Sequence, residues 1–185
     1  GQKGGIGFKM HFHGFEVHSS LLHTGVSAIM MGSKLIDWAN QVNAENAAKA
    51  PAAMDAAFVP RYTTLHIGTI NGGTAHNITA KDCMFDLTFR VVPGESIAAW
   101  RDRFLAKVAE LEAEMKAVHP DAGITTDQYF EPIRFMPPYP APYPGHYNPE
   151  IEIFRGYWMI TWFKNEFAYK EVLKAEKQGI PAEVV

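Results

Sequence analysis

Phe85-Asp86-Leu87-Thr88-Phe89-Arg90-Val91-Val92-Pro93-Gly94-Glu95 is the stretch in which the chain changes its period. Phe85, Leu87, Phe89 and Val91 fall on one side of an extended backbone, and Asp86, Thr88 and Arg90 on the other. A period of two predicts a half-buried strand, and Pro93-Gly94 ends it. From residue 95 to residue 118 the period is helical. Ile97, Trp100, Phe104, Val108, Leu111, Met115 and Val118 step by three and four on an otherwise charged surface. Glu95 stands at the dipole-favoured start of this helix, and Pro120 stops it.

Working outward gives the remaining elements. Upstream, residues 63–70 are rich in β-branched and apolar types and read as a strand broken by Asn71, Gly72 and Gly73. Before it, residues 25 to about 48 read as a helix with Thr24 as N-cap and Val26, Ile29, Met30, Ile36, Ala39 and Val42 in its stripe. At the front, Ile6, Phe8, Met10 and Phe12 alternate with Gly7, Lys9, His11 and His13, a half-buried strand. Downstream, residues 123–131 make a fourth strand. The order β-α-β-β-α-β predicts an α+β, ferredoxin-like sandwich: a four-stranded antiparallel sheet with two helices on one face. Such a sheet keeps two edges, each able to pair with a second copy. The fold alone implies no function.

Residues 1–136 therefore form one domain. A connector follows at 137–150, where prolines interleave with Tyr139, Tyr143 and Tyr147. Residues 151–185 are an aromatic-rich C-terminal segment, with a helix running to Gln178 and a stop at Gly179-Ile180-Pro181.

The 185 residues are 47% hydrophobic and 20% charged, with net charge −3, so neither global disorder nor a pull toward nucleic acid or anionic membranes is expected. No apolar run approaches the roughly 18 residues of a membrane span. Cys83 is the single cysteine, which excludes an intrachain disulfide framework. The chain starts at Gly1 without a signal peptide and reads as a piece of a longer protein.

Several residues are candidates for chemistry. His11 and His13 share a strand face at a spacing compatible with joint metal ligation, but no carboxylate or cysteine flanks them at familiar ligand spacing. A polar strand face explains them as well, and no metal ligand is assigned. His18 follows a strand and a glycine in a short polar loop, where it can donate to a developing oxyanion or merely cap the helical region after it. Asn77, in the loop Thr69-Ile70-Asn71-Gly72-Gly73-Thr74-Ala75-His76-Asn77-Ile78, can offer a donor and an acceptor to a substrate; a long hairpin turn is the plainer reading. Asn77-Ile78-Thr79 also fits a glycosylation sequon, discounted for lack of a secretion signal. Arg90 can grip a carboxylate through two parallel hydrogen bonds, or pair with Asp86 or an edge glutamate.

Three segments together resemble a known family. They are Gly14-Phe15-Glu16-Val17-His18-Ser19-Ser20 with Gly25-Val26-Ser27-Ala28-Ile29 after it, the run from Tyr62 to Ile78, and the run from Phe85 to Glu95. In order and separation they are similar to signatures of the M20 zinc amidohydrolases and peptidases, most of all acetylornithine deacetylases, over roughly residues 1–131. The resemblance implies the lid, or dimerisation, domain inserted into a catalytic domain, with the same β-α-β-β-α-β order.

For His18 it implies the histidine that reaches the neighbouring subunit's active site and polarises the scissile carbonyl. For Asn77 it implies a substrate contact, and for Arg90 the grip on the substrate carboxylate. The implied reaction is hydrolysis of an N-acyl amino acid by a cytoplasmic enzyme of amino-acid metabolism such as arginine biosynthesis. Zinc or cobalt is expected in the parent enzyme and no cofactor in this chain, which is expected to be inactive alone. The implied partners are a second copy, through a sheet edge and a helix, and a small N-acyl amino acid, with no nucleic acid or membrane. The alternative is a non-catalytic ferredoxin-like module that self-associates or binds a small ligand. With the first and third strands expected to end on the same side of the sheet, Arg90 is expected nearer His18 than Asn77 is.

Overall fold

The computed structural model describes residues 3–55 and 58–133. Four strands and two helices follow in the expected order: β1 (Gly4–His13), α1 (Ala28–Ala48), β2 (Thr64–Gly72), β3 (Asp82–Val91), α2 (Ile97–Val118) and β4 (Gly123–Ile133). A 3-10 turn spans Ser19–Thr24 and a second one Ala53–Asp55. The strands form one antiparallel sheet in the order β2-β3-β1-β4. This is the α+β, ferredoxin-like arrangement. Among the described residues no helix is long and apolar enough to cross a membrane. The connector read over 137–150 and the segment 151–185 lie outside the described residues.

The alternation in the two central strands is what makes the sheet one-sided. Ile6, Phe8, Met10 and Phe12 of β1 and Cys83, Phe85, Leu87, Phe89 and Val91 of β3 are all buried under the helices. From α2, Trp100, Phe104, Val108, Leu111 and Met115 come down on them. The Phe8 and Phe104 rings lie 4.5 Å apart between centroids, and Phe89 meets both edge-on. Burial of such aromatic groups contributes about 1.5–3 kcal/mol each before entropy is counted. The opposite face carries Lys9, His11, His13, Thr88 and Arg90, and among the described residues no helix lies over it.

Three local expectations are corrected. The N-cap of α1 is Ser27, whose hydroxyl accepts from the Met30 amide at 3.4 Å; the 3-10 turn takes up Thr24. The buried side of α1 is Ala28, Met31, Gly32, Leu35, Ala39 and Val42, while Ile29 and Met30 are 40% and 57% exposed. Small residues set this phase because the helix lies close to the sheet. A Cβ on Gly32 would stand 3.2 Å from both the Cys83 sulfur and the Phe85 ring. Glu95 lies before the N-cap of α2, which is Ser96. Its carboxylate instead accepts from the Trp100 indole and the buried Thr63 hydroxyl, each at 2.6 Å.

The edge strand β2 is shaped from both sides. Asn43 of α1 receives the Leu65 amide and donates to the Leu65 carbonyl, each at 2.8 Å, which blunts the edge at that point. Between Ile67 and Ile70 the register with β3 slips by one residue, a β-bulge. The extra residue puts Ile70 on the same face as Ile67, where it is 55% exposed; Ile29 of α1 reaches this end of β2, its Cδ1 3.0 Å from where a Cβ on Gly73 would stand.

Candidate functional site

Beyond His13 the chain leaves the sheet and builds a corner from three short extended pieces. Gly14 donates to the Lys81 carbonyl at 2.6 Å, Phe15 and Val26 exchange amide bonds at 2.8 and 3.1 Å, and Ala28 donates to Ala80 at 2.8 Å. His18 pairs with Ile78 in an isolated antiparallel bridge. The Ser19 amide donates to the backbone carbonyl of Asn77 at 2.8 Å, so His18 and Asn77 are held side by side. Gly14 permits the crossing. A Cβ there would lie 2.3 Å from the Val26 carbonyl oxygen and 2.4 Å from that of Ala80, and both are backbone. Thr79 binds the pieces from within. Its buried hydroxyl accepts from the Val17 amide and donates to the Phe15 carbonyl, each at 2.8 Å. Sequence reasoning saw Thr79 only as the tail of a sequon; its role depends on residues more than sixty positions away.

The His18 ring has a definite donor. Its Nδ1 accepts from the Ser20 amide at 3.2 Å, and an amide can only donate. Nδ1 is therefore the unprotonated nitrogen, and the proton of the neutral ring sits on Nε2. The Ser20 hydroxyl, 2.8 Å from Nδ1, then donates to the same nitrogen. The result is an exposed imidazole with Nε2–H available as a hydrogen-bond donor. The plainer sequence reading, a histidine capping the following turn, describes the same bond: His18 is the N-cap of the 3-10 turn. The two readings concern different nitrogens and are compatible. Asn77 is also exposed. A zinc ion does not fit the corner: His18 is flanked by Ser19, Ser20 and Asn77, and its Nδ1 is already engaged.

Arg90 stands elsewhere, and this is a correction. It pairs with Gly5 of β1 and Thr64 of β2, whereas His13, at the root of the corner, pairs with Asp82 at the start of β3. Eight residues of β1 separate the two positions, on the order of 26 Å. Asn77, not Arg90, is the neighbour of His18. The reason is topological. The helical crossover returns β2 parallel to β1, and the hairpin then reverses β3, so β1 and β3 end on opposite sides. Arg90 is exposed and, among the described residues, forms no ion pair with Asp86. It also lies close enough to Tyr129 of β4 to work against the upward push that burial and Asp86 give that phenol.

On the open face, His11 Nε2–H donates to Asp82 Oδ1 at 2.7 Å, and His13 Nε2 lies 2.9 Å from the Thr125 hydroxyl. Partial burial, and then the neighbouring His11, hold the His13 pKa below its ordinary value. Asp82 was missed from sequence because it lies across the sheet rather than along the strand.

The comparisons with known proteins agree with this architecture. The sequence pattern of the M20 family's peptidase dimerisation domain matches residues 1–116. Acetylornithine deacetylase from Myxococcus xanthus is 26% identical over 137 residues, covering 69% of this chain and 35% of that protein. The chain thus spans about a third of that relative's length. A hydantoinase/carbamoylase family amidase from Burkholderia ambifaria superposes with a TM-score of 0.56 at 13% identity, over 74% of this chain and 30% of the amidase. One from Burkholderia multivorans does so at 0.52 and 19%, with the same coverage. At such identities these two structures show a shared fold. With the domain pattern matched over most of its length, and the expected sheet and helices in place, this chain belongs to the M20 peptidase dimerisation domain family.

Proposed function

We propose that this chain is the lid and dimerisation domain of a metal-dependent amidohydrolase that hydrolyses an N-acyl amino acid, as its relative's name, acetylornithine deacetylase, suggests. The observation that carries the reading is the Ser20–His18 hydrogen bond, which leaves the proton on the exposed Nε2. An amide carbonyl under attack becomes an oxyanion, and a donor already in position stabilises it at no reorganisation cost. Asn77, held beside His18 through the Ser19 bond, supplies a donor and an acceptor to the substrate's amide or carboxylate. Arg90 grips a carboxylate bidentately. The hydrolytic metal, zinc or cobalt, belongs to the parent protein's catalytic domain in this reading, and the chain by itself is inactive.

Arg90 and His18 of one protomer are too far apart to hold one small substrate. A homodimer removes the difficulty. In a twofold pairing along β2, the Gly72 end of one copy lies beside the Thr64 end of the other, so His18 and Asn77 of one protomer face Arg90 of its partner. The exposed residues of β2, Ile70 among them, are the surface such a pairing covers. Two inactive variants of the complete parent protein, His18→Ala and Arg90→Ala, test this. Mixed and reassembled, they should recover roughly a quarter of wild-type activity, because half the dimers are mixed and each has one complete site. No recovery, with dimers intact and metal content unchanged, rejects the shared site.

A further inference from the structure

We propose that His11, His13 and Asp82 form a binding site for one divalent transition-metal ion on the open face of the sheet, at the root of the His18 corner. The proposal does not rest on the amidohydrolase reading. It comes from the convergence of three strands. His11 and His13 are two apart on β1 and point to the same face, with ring centroids 3.8 Å apart. Asp82 of β3 is directly opposite His13 and diagonal to His11. One ligand atom from each residue lies within 4.8 Å of the other two. Thr125 of β4, opposite His11, bonds to His13 and steadies its ring from the far side.

The geometry needs little change to hold an ion. Metal–nitrogen and metal–oxygen bonds of about 2.0–2.2 Å place tetrahedral ligand atoms about 3.4 Å apart. The His11–Asp82 contact of 2.7 Å must open by about 0.7 Å, and the wider separations must close by no more than about 1.4 Å. Side-chain tilting supplies both, because the ladders already fix the three backbones. All three side chains are partly exposed, so an ion can enter and water can complete its shell. Two imidazoles and one carboxylate favour Zn²⁺, Co²⁺, Ni²⁺ or Cu²⁺ over Mg²⁺ or Ca²⁺, which prefer all-oxygen cages. A bound ion ties β1 to β3 one residue before Gly14 leaves the sheet, where the corner begins.

The 185-residue chain, stripped with chelator, is titrated with Zn²⁺ by calorimetry and with Co²⁺ by visible absorption. One ion per chain should bind, with a Kd in the micromolar range or tighter. The His11→Ala and Asp82→Asn variants should each weaken binding by about tenfold or more. The double variant His11→Ala/His13→Ala should abolish it together with the Co²⁺ band, and His23→Ala and His76→Ala should leave it unchanged. Circular dichroism checks the folds, and His11→Gln replaces His11→Ala if that variant unfolds. Unaltered binding in a folded double variant, an equal response to Mg²⁺, or no saturable binding by the wild-type chain overturns the site.

Discussion

The two ends of the sheet are built on different principles. At the His13 end the chain leaves the ladder, and its functional candidates are placed by backbone bonds crossing between three segments, with Gly14 and Thr79 at the crossing. At the other end Arg90 is placed by strand register alone, on a regular ladder between Gly5 and Thr64. Substitutions around the corner should therefore cost stability and position together. Substitution of Arg90 should cost only the carboxylate grip proposed for it.

The sharpest way to break that contrast is Gly14→Ala. Its methyl group must displace two backbone carbonyls, so a loss of about 1–3 kcal/mol or more is expected in urea unfolding. Wild-type stability would mean that the corner is soft. Thr79→Val comes next. It keeps the shape but strands the Val17 amide, for an expected loss of about 1–2 kcal/mol, read as a lower thermal midpoint. Arg90→Ala in the same assay should stay within about 0.5 kcal/mol of wild type, as exposed surface positions do. A larger loss would show that the regular end is also held by side chains.

The smallest effect tests a third region, where α2 meets β4. A hydrogen bond from Lys116 holds the Glu112 carboxyl below its ordinary value, aided by the Ile124 amide and opposed by partial burial. A lowered folded-state value adds stability above the ordinary carboxyl pKa of 4.5 that is lost as pH falls through the folded value. Glu112→Gln should therefore be less stable than wild type near neutral pH, by about half a kcal/mol or less, with the gap closing in acid. A gap that widens in acid would reverse the sign.

The element order was legible because each element advertises itself locally. Alternation in Ile6–Phe12 and Phe85–Val91, and the three-four stepping from Trp100 to Met115, need no knowledge of neighbours. The phase of α1 was not legible, since Ile29 and Met30 outrank Ala28 and Gly32 in hydrophobicity, and only the closeness of Cys83 and Phe85 selects the small side. The misplacement of Arg90 came from strand direction, which the crossover and the hairpin together determine.

By itself the sequence determined the strands, the helices, their order, the one-sided core and the identity of His18, Asn77 and Arg90 as candidates. Tertiary structure alone decided that Asn77 lies against His18, that Arg90 lies at the opposite end, and that Asp82 completes a group with His11 and His13. The reason is range. Periodicity reports which face of an element a side chain takes, while contacts between elements depend on register across strands that are some seventy residues apart along the chain.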